Sequence, residues 1–244
     1  VGDIDQSTAM KTLKGLEINW AAKDVAIPEF PIVNNRDKTS LYFVDIPDAK
    51  QSVINIGYIA MPRTDADYFS AEVMNYKLGG SFSGNVNLIL REEKGYTYGA
   101  RTGFSGGKVP GTFTASSSVR TNTTGESVQI FKDQITAYKD GISEEDLTFT
   151  KNALIKSNAR RFETQFNLLG MLQEMSEYNL PANYIEKEEQ VINDMTLEMH
   201  KTLANTHLDE SKMAYLVVGD AASQFAQFKD MGFDEVKLLD KKGE

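Results

Sequence analysis

The stretch between residues 78 and 100 constrains the fold most, because it dictates a loop, a helix, a turn and a strand in immediate succession. Glycines within residues 79–84 allow backbone angles that other residues resist. Ser83 or Asn85 is predicted to cap the helix, because a short side-chain oxygen accepts hydrogen bonds from the free N–H groups of a first turn. Gly95 is predicted to end that helix, and a strand begins directly after it.

Two side chains in this stretch are candidates for chemistry. Arg91 falls in the last turn of the predicted helix, and Tyr98 falls just inside the strand. A guanidinium fork and a phenol O–H are hydrogen-bond donors that suit a peptide carbonyl or a developing oxyanion. Spacing alone leaves a second interpretation open, in which Arg91 pairs with Glu92 at the surface and Tyr98 is a core aromatic residue.

The segment Leu90–Tyr98 resembles the signature of the C-terminal, non-zinc domain of the pitrilysin-type zinc metallopeptidases. That family includes insulin-degrading enzyme, pitrilysin and the mitochondrial processing peptidase. The shared pattern is a Gly-Gly-x-x-Ser loop, a helix ending in Leu-Arg-Glu-x-x-Gly, and a strand that reads aromatic-small-Tyr. The resemblance implies a catalytic, substrate-holding role for Arg91 and Tyr98, and it adds Gly80 and Ser81 as substrate-binding residues.

The same resemblance implies the organisation of the chain. Residues 1–38 are expected to be the remnant of an interdomain linker, and residues 39–244 the non-zinc domain. Two prolines in four residues oppose a helix at 28–31, and we expect Trp20 and Phe30 to anchor this linker. The order of the predicted elements is strand, strand, helix, helix, hairpin, helices, strand, helix, strand. That order predicts an α+β fold, the α/β roll of the family, in which helices pack on one face of a mixed, mainly antiparallel sheet.

The resemblance further implies that the chain is the substrate-binding half of a zinc-dependent endopeptidase. The zinc-bearing half would be its partner, fused N-terminally or carried on a separate subunit, and unfolded peptide would be the substrate. Two alternatives stay open. The domain could be a non-enzymatic scaffold or a subunit-assembly domain of the same fold, or a module that binds peptides along a sheet edge.

The sequence departs from the full peptidase at the metal site. His200 and His207 are its two histidines, and residues 207–211 read His-Leu-Asp-Glu-Ser, so the second histidine of an H-x-x-E-H motif is missing. A catalytic zinc site needs about three protein ligands. We therefore predict that this chain holds no zinc and is inactive alone, with the zinc expected in the partner half.

Composition excludes several classes of function. A net charge of −9 argues against nucleic acid as a partner, and it favours basic peptides as ligands. No apolar run reaches the length of a membrane span. The absence of cysteine excludes disulfides and thiolate zinc sites, and it weakly favours a periplasmic or other extracytoplasmic bacterial location without assigning one.

Overall fold

The computed structural model describes residues 1–26, 28–29, 31 and 33–244 of the chain. The strands are β1 Ser40–Asp45, β2 Gln51–Ile59, β3 Thr97–Ser105, β4 Thr112–Arg120, β5 Ala214–Gly219 and β6 Glu235–Leu239. The α-helices are α1 Gln6–Asn19, α2 Tyr68–Asn75, α3 Asn85–Asn87, α4 Thr124–Tyr138, α5 Glu144–Asn158, α6 Gln165–Tyr178, α7 Tyr184–Asp194, α8 Leu197–His207 and α9 Ala221–Gln224. The element order therefore agrees with the predicted one.

The six strands form one mixed sheet in the order β3-β4-β2-β5-β1-β6. Antiparallel pairing joins β3 to β4, β4 to β2 and β2 to β5, whereas β1 runs parallel to both β5 and β6. The predicted α+β fold with a mainly antiparallel sheet is thus confirmed. Because it lies at one end of this order, β3, which carries Tyr98, is an edge strand.

The sheet has one covered face and one open face. Exposed and buried residues alternate along β2 and β4, as expected of strands with one wet face. The covered face supplies Ile54, Phe113 and Tyr215 to a core that also contains Phe131 of α4 and Phe228. On the open face, cross-strand pairing aligns one residue from every strand in a single row: Arg101, Ser116, Asn55, Leu216, Tyr42 and Lys237.

The helix starts were predicted with mixed success. Thr196 caps α8 by accepting a hydrogen bond from the backbone N–H of Met199, as predicted. The predicted cap of the signature helix is wrong, because Gly84 occupies the N-cap position and supplies no side chain. A Cβ on Gly84 would lie 2.7 Å from the Cα of Gly79, so the close approach of the chain to itself excludes a capping side chain there.

The chain divides into two compact units. One consists of residues 1–33 and 156–181, and the other of residues 34–155 and 182–244. In the smaller unit, Asp5 caps α1, whose residues include no buried side chain. Trp20 follows α1 and is 73% exposed, while Phe30 lies outside the described residues. The division of the chain into residues 1–38 and 39–244 therefore stays a prediction. Among the described helices, none combines the length and the apolarity needed to cross a membrane.

A buried histidine lies in the core next to α2. His200 is 1% exposed, and its Nε2 lies 3.3 Å from the carbonyl oxygen of Met74 and 3.2 Å from the hydroxyl of Tyr138. Burial lowers the pKa of His200 below its ordinary value, and the hydrogen bond to Met74 and the charge of Asp146 oppose this only in part. His200 is therefore held as the neutral imidazole in the folded chain.

This burial predicts that acid destabilises the fold through His200. Between the unfolded pKa of about 6.5 and the lower folded pKa, the unfolded chain binds more proton at His200 than the folded chain does. The stabilisation is fully present above that pKa and is lost as the pH falls through the folded value. We expect the free energy of unfolding, measured by urea denaturation, to fall between about pH 7.5 and about pH 5.5. The fall should be larger for the wild type than for His200→Gln. If the pH-dependent loss of stability persists in His200→Gln and disappears in His207→Gln, His200 is not its cause.

Candidate functional site

Two π-helical turns frame the glycine-rich loop. The helix α2 continues as a π-helix over Tyr76–Gly80, and α3 continues as a π-helix over Leu88–Glu93. Such turns are rare and are frequently found at functional sites. A Cβ on Gly79 would lie 2.7 Å from the backbone nitrogen of Thr102, so the loop is packed directly against β3.

Two buried asparagines close the outer edge of β3. Asn87 accepts a hydrogen bond from the backbone N–H of Ala100 at 3.0 Å, and it donates to the carbonyl of Phe82 at 2.7 Å. Asn75 donates to the carbonyl of Thr102 at 3.0 Å and accepts from the Thr102 hydroxyl at 2.6 Å. These side chains take the place that a further strand would fill.

A β-bulge directs Tyr98 into solvent. The pairing of β3 with β4 shifts by one residue between Thr97, which faces Val119, and Ala100, which faces Ser117. Bulges of this kind change the direction of a side chain and often lie next to active sites. Tyr98 is consequently 92% exposed, so the interpretation that it is a core aromatic residue is wrong.

Arg91 lies in the second π-helical turn and is only partly exposed. Its guanidinium carbon is 4.5 Å from the centre of the Phe82 ring, and its Nε is 3.4 Å from a carboxylate oxygen of Glu92. The predicted pairing with Glu92 is therefore present, but an exposed pair of this kind contributes only about 0–1 kcal/mol. Gly95 ends the helical segment with a φ of +63°, as predicted for a C-cap glycine.

The four predicted site residues border two adjoining hollows. The loop hollow, of about 680 Å³, is lined by Gly80, Ser81 and Tyr98 together with residues of β2, β3 and β4. The arginine hollow, of about 480 Å³, is lined by Arg91, Tyr98 and neighbouring residues. Both hollows include Gln51, Thr97, Tyr98 and Ser118. Tyr98 thus belongs to both, whereas Arg91 belongs to one and Gly80 and Ser81 to the other.

Sequence reasoning missed the polar residues that complete these hollows. Gln51 comes from β2, Arg101 from β3, and Ser118 and Arg120 from β4. Their alternation with buried residues indicates that they lie on the open face of a sheet. The pairing of β3 with β4 was predicted as a hairpin, but the position of β2 on the other side of β4 was not visible in the sequence.

The histidines do not form a metal centre. No group of three or more histidine, aspartate or glutamate residues in the described part of the chain is arranged to hold a metal ion. His200 is in the core beside Tyr138, and the Nε2 of His207 lies 3.2 Å from a carboxylate oxygen of Asp67. The residues present therefore do not fit a zinc site of the kind that the peptidase reaction needs.

Comparison with known proteins identifies a matching family and relatives of similar sequence or fold. A model of the family described as "Peptidase M16 inactive domain" matches residues 1–154. The probable inactive metalloprotease YmfF of Bacillus subtilis (strain 168) is 26% identical over 189 residues, covering 72% of this chain and 41% of that protein. A peptidase M16 inactive domain from Pseudomonas fluorescens has a TM-score of 0.74 at 25% identity, covering 90% of this chain and 52% of that one.

A protease from Helicobacter pylori shares the fold, with a TM-score of 0.77 at 15% identity and coverage of 90% of this chain and 53% of that one. The chain spans about half the length of these relatives, or less.

The asparagine at the strand edge generates a prediction about stability. Asn87→Leu keeps the branched arrangement of side-chain heavy atoms but leaves the buried N–H of Ala100 and the carbonyl of Phe82 without this partner. We expect the free energy of unfolding to fall by about 1–3 kcal/mol, measured by urea denaturation. Asn55→Leu, on the exposed face of β2, is the control and should change it by less than about 0.5 kcal/mol. Equal effects of the two variants would contradict the structural role of Asn87.

Proposed function

Since the chain belongs to the Peptidase M16 inactive-domain family, we propose that it is the substrate-holding half of a zinc-dependent endopeptidase. Arg91 and Tyr98 hold the peptide, and the loop residues Gly80 and Ser81 line the space beside them. The observation that supports the proposal is that Arg91 and the exposed Tyr98 line the same hollow. A hydroxyl and a planar fork of N–H donors bind a peptide carbonyl by hydrogen bonds without contributing a base or a nucleophile.

The surroundings of Tyr98 support this role. Thr97 fixes the bulge, because its hydroxyl accepts a hydrogen bond from the N–H of Gly99 at 3.1 Å and donates to the carbonyl of Ser118 at 2.6 Å. The backbone that carries Tyr98 is therefore held in place while its side chain stays in solvent. Preorganised donors of this kind stabilise developing charge without having to reorganise during the reaction.

The closed edge of β3 disfavours peptide binding by strand addition at that edge. Strand addition needs free backbone N–H and C=O groups. Asn75 already occupies the carbonyl of Thr102, and Asn87 the N–H of Ala100. We therefore assign peptide binding at this end of the sheet to side-chain donors on the open face.

The zinc-bearing half completes the proposal. It would supply the metal chemistry of peptide hydrolysis, since the described residues of this chain offer no ligand set for zinc. This chain contributes positioning, which can account for a large part of a rate enhancement when the bound geometry is correct.

Tyr98→Phe tests the proposal in the enzyme assembled from this chain and a zinc-bearing half. Removing one hydroxyl donor should lower kcat by about 10²-fold, measured by hydrolysis of a fluorogenic peptide. Arg91→Lys keeps the charge but removes the planar fork, so it should also lower kcat. The thermal unfolding temperature should stay near that of the wild type for Tyr98→Phe, because Tyr98 is exposed.

Tyr42→Phe is the matched control for the loss of a phenol. Tyr42 lies on the same open face, on β1, which is separated from β3 by β4, β2 and β5. Tyr42→Phe should therefore leave kcat unchanged. Full activity of both Tyr98→Phe and Arg91→Lys would exclude the catalytic role.

Association with the zinc-bearing half is the second expectation. Mixing the two halves should give a complex at tens of micromolar or below, the range of specific but separable interfaces. Analytical ultracentrifugation measures it directly. A mixture that stays dissociated would contradict the two-half arrangement.

Non-enzymatic assembly remains the alternative function. It is favoured by one observation, the similarity to a protein named a probable inactive metalloprotease. A complex that forms but shows no peptide hydrolysis under any metal condition would support this alternative over the peptidase role.

A further inference from the structure

The charge at the two hollows is opposite in sign to the charge of the whole chain. Arg101 is the charged residue that lines the loop hollow. The arginine hollow is lined by Arg91 and Arg120, with Glu92 as its acidic residue. Three arginines against one glutamate therefore give a positive site in a chain of net charge −9.

The arginines are available to a ligand to different degrees. Arg101 is exposed on the open face opposite Ser116, and its side chain forms no ion pair with any residue that the structure describes. Arg120 donates to the carbonyl of Gly95 at 3.1 Å, a neutral partner that leaves its charge uncompensated. Arg91 is paired with Glu92 at the surface, where a competing carboxylate can replace the partner at little cost.

Lys94, which precedes the lining residue Gly95, is paired with an acid. Its Nζ lies 2.7 Å from a carboxylate oxygen of Glu126. Glu126 also accepts a hydrogen bond from the hydroxyl of Tyr96 at 2.6 Å. The charges of Lys94 and Glu126 therefore offset each other, and the pair does not change the balance of three arginines to one glutamate in the lining.

Neutral hydrogen-bond donors surround the arginines. The shared lining contains the donors of Gln51 and Ser118, and the loop hollow adds Ser81. The Oγ of Ser81 is shielded from solvent, and no described residue provides it with a hydrogen-bond partner. Hydroxyl and amide donors beside a guanidinium are groups that a carboxylate can bind.

We propose that these two hollows recognise carboxylate groups of a bound peptide, either acidic side chains or a free C-terminus. The inference rests on the proposed function, because it assumes that the hollows bind peptide, and it replaces the preference for basic peptides expected from net charge. Arginine suits this role because its planar fork binds a carboxylate with two parallel hydrogen bonds.

Fluorescence anisotropy of the purified chain with labelled peptides tests the proposal. The probe is a peptide of glycine, alanine, serine and three glutamates, compared with peptides in which glutamine or lysine replaces each glutamate. If acidic side chains are the ligand, the glutamate peptide should bind about tenfold more tightly than the glutamine peptide, and the lysine peptide most weakly. The difference should shrink as the ionic strength rises.

Amidation of the C-terminus separates the two sources of carboxylate. If the free C-terminus is the ligand, amidation of the glutamine peptide weakens its binding. If the side chains are the ligands, amidation has no effect and the glutamate-to-glutamine difference persists. Either result supports carboxylate recognition and identifies its source.

A matched pair of variants assigns the preference to the site. Arg101→Gln should remove most of the preference for carboxylate. Lys237→Gln removes one positive charge from the other end of the same cross-strand row on the open face. Five strand spacings separate the two positions, about 24 Å, which exceeds the screening length of about 8 Å at physiological salt. Lys237→Gln should therefore leave the preference intact.

The outcomes distinguish a failure of carboxylate recognition from a failure of peptide binding. Equal affinity for the glutamate, glutamine and lysine peptides, together with no effect of C-terminal amidation, would overturn carboxylate recognition while leaving peptide binding intact. If Arg101→Gln and Lys237→Gln reduce the preference for carboxylate equally, the preference does not arise at these hollows. Absence of binding to every peptide would contradict the proposed function itself, and the carboxylate inference with it.

Discussion

The hydrogen bonds from Asn75 and Asn87 to the edge of β3 are the constraint on which the rest of the site depends. An edge strand presents unpaired backbone groups, which a protein has to cover or leave open to further strands. Here two buried amides satisfy the N–H of Ala100 and the carbonyl of Thr102. Because they come from either side of the glycine-rich loop, the same bonds fix that loop against the sheet.

Once the loop and the strand are fixed together, the positions of the functional side chains follow. The tight packing at Gly79 and Gly84 leaves no room for a Cβ, so the chain turns sharply into the π-helical segment that carries Arg91. The bulge then directs Tyr98 out of the sheet and onto the same hollow. Rigid elements hold both donors, which is the condition for effective positioning of a substrate.

Net charge and local charge lead to opposite conclusions about the ligand. Acidic residues outnumber basic ones over the whole sequence, but the site is lined mainly by arginine. Screening in physiological salt limits the reach of exposed charges to about 8 Å. Under the proposed function, a bound peptide would therefore respond to Arg91, Arg101 and Arg120 rather than to distant acids on the surface.

The sequence by itself determined the order and type of the elements, the end of the signature helix at Gly95, and the family to which the chain belongs. These depend on local backbone preferences, on apolar spacing and on a motif within about twenty residues. Only the tertiary structure decided that β3 is an edge strand, that a bulge exposes Tyr98, and that Gln51, Arg101 and Arg120 complete the site. Strand order and pairing register join residues far apart in sequence, and alternation along one strand gives its faces but not its neighbours.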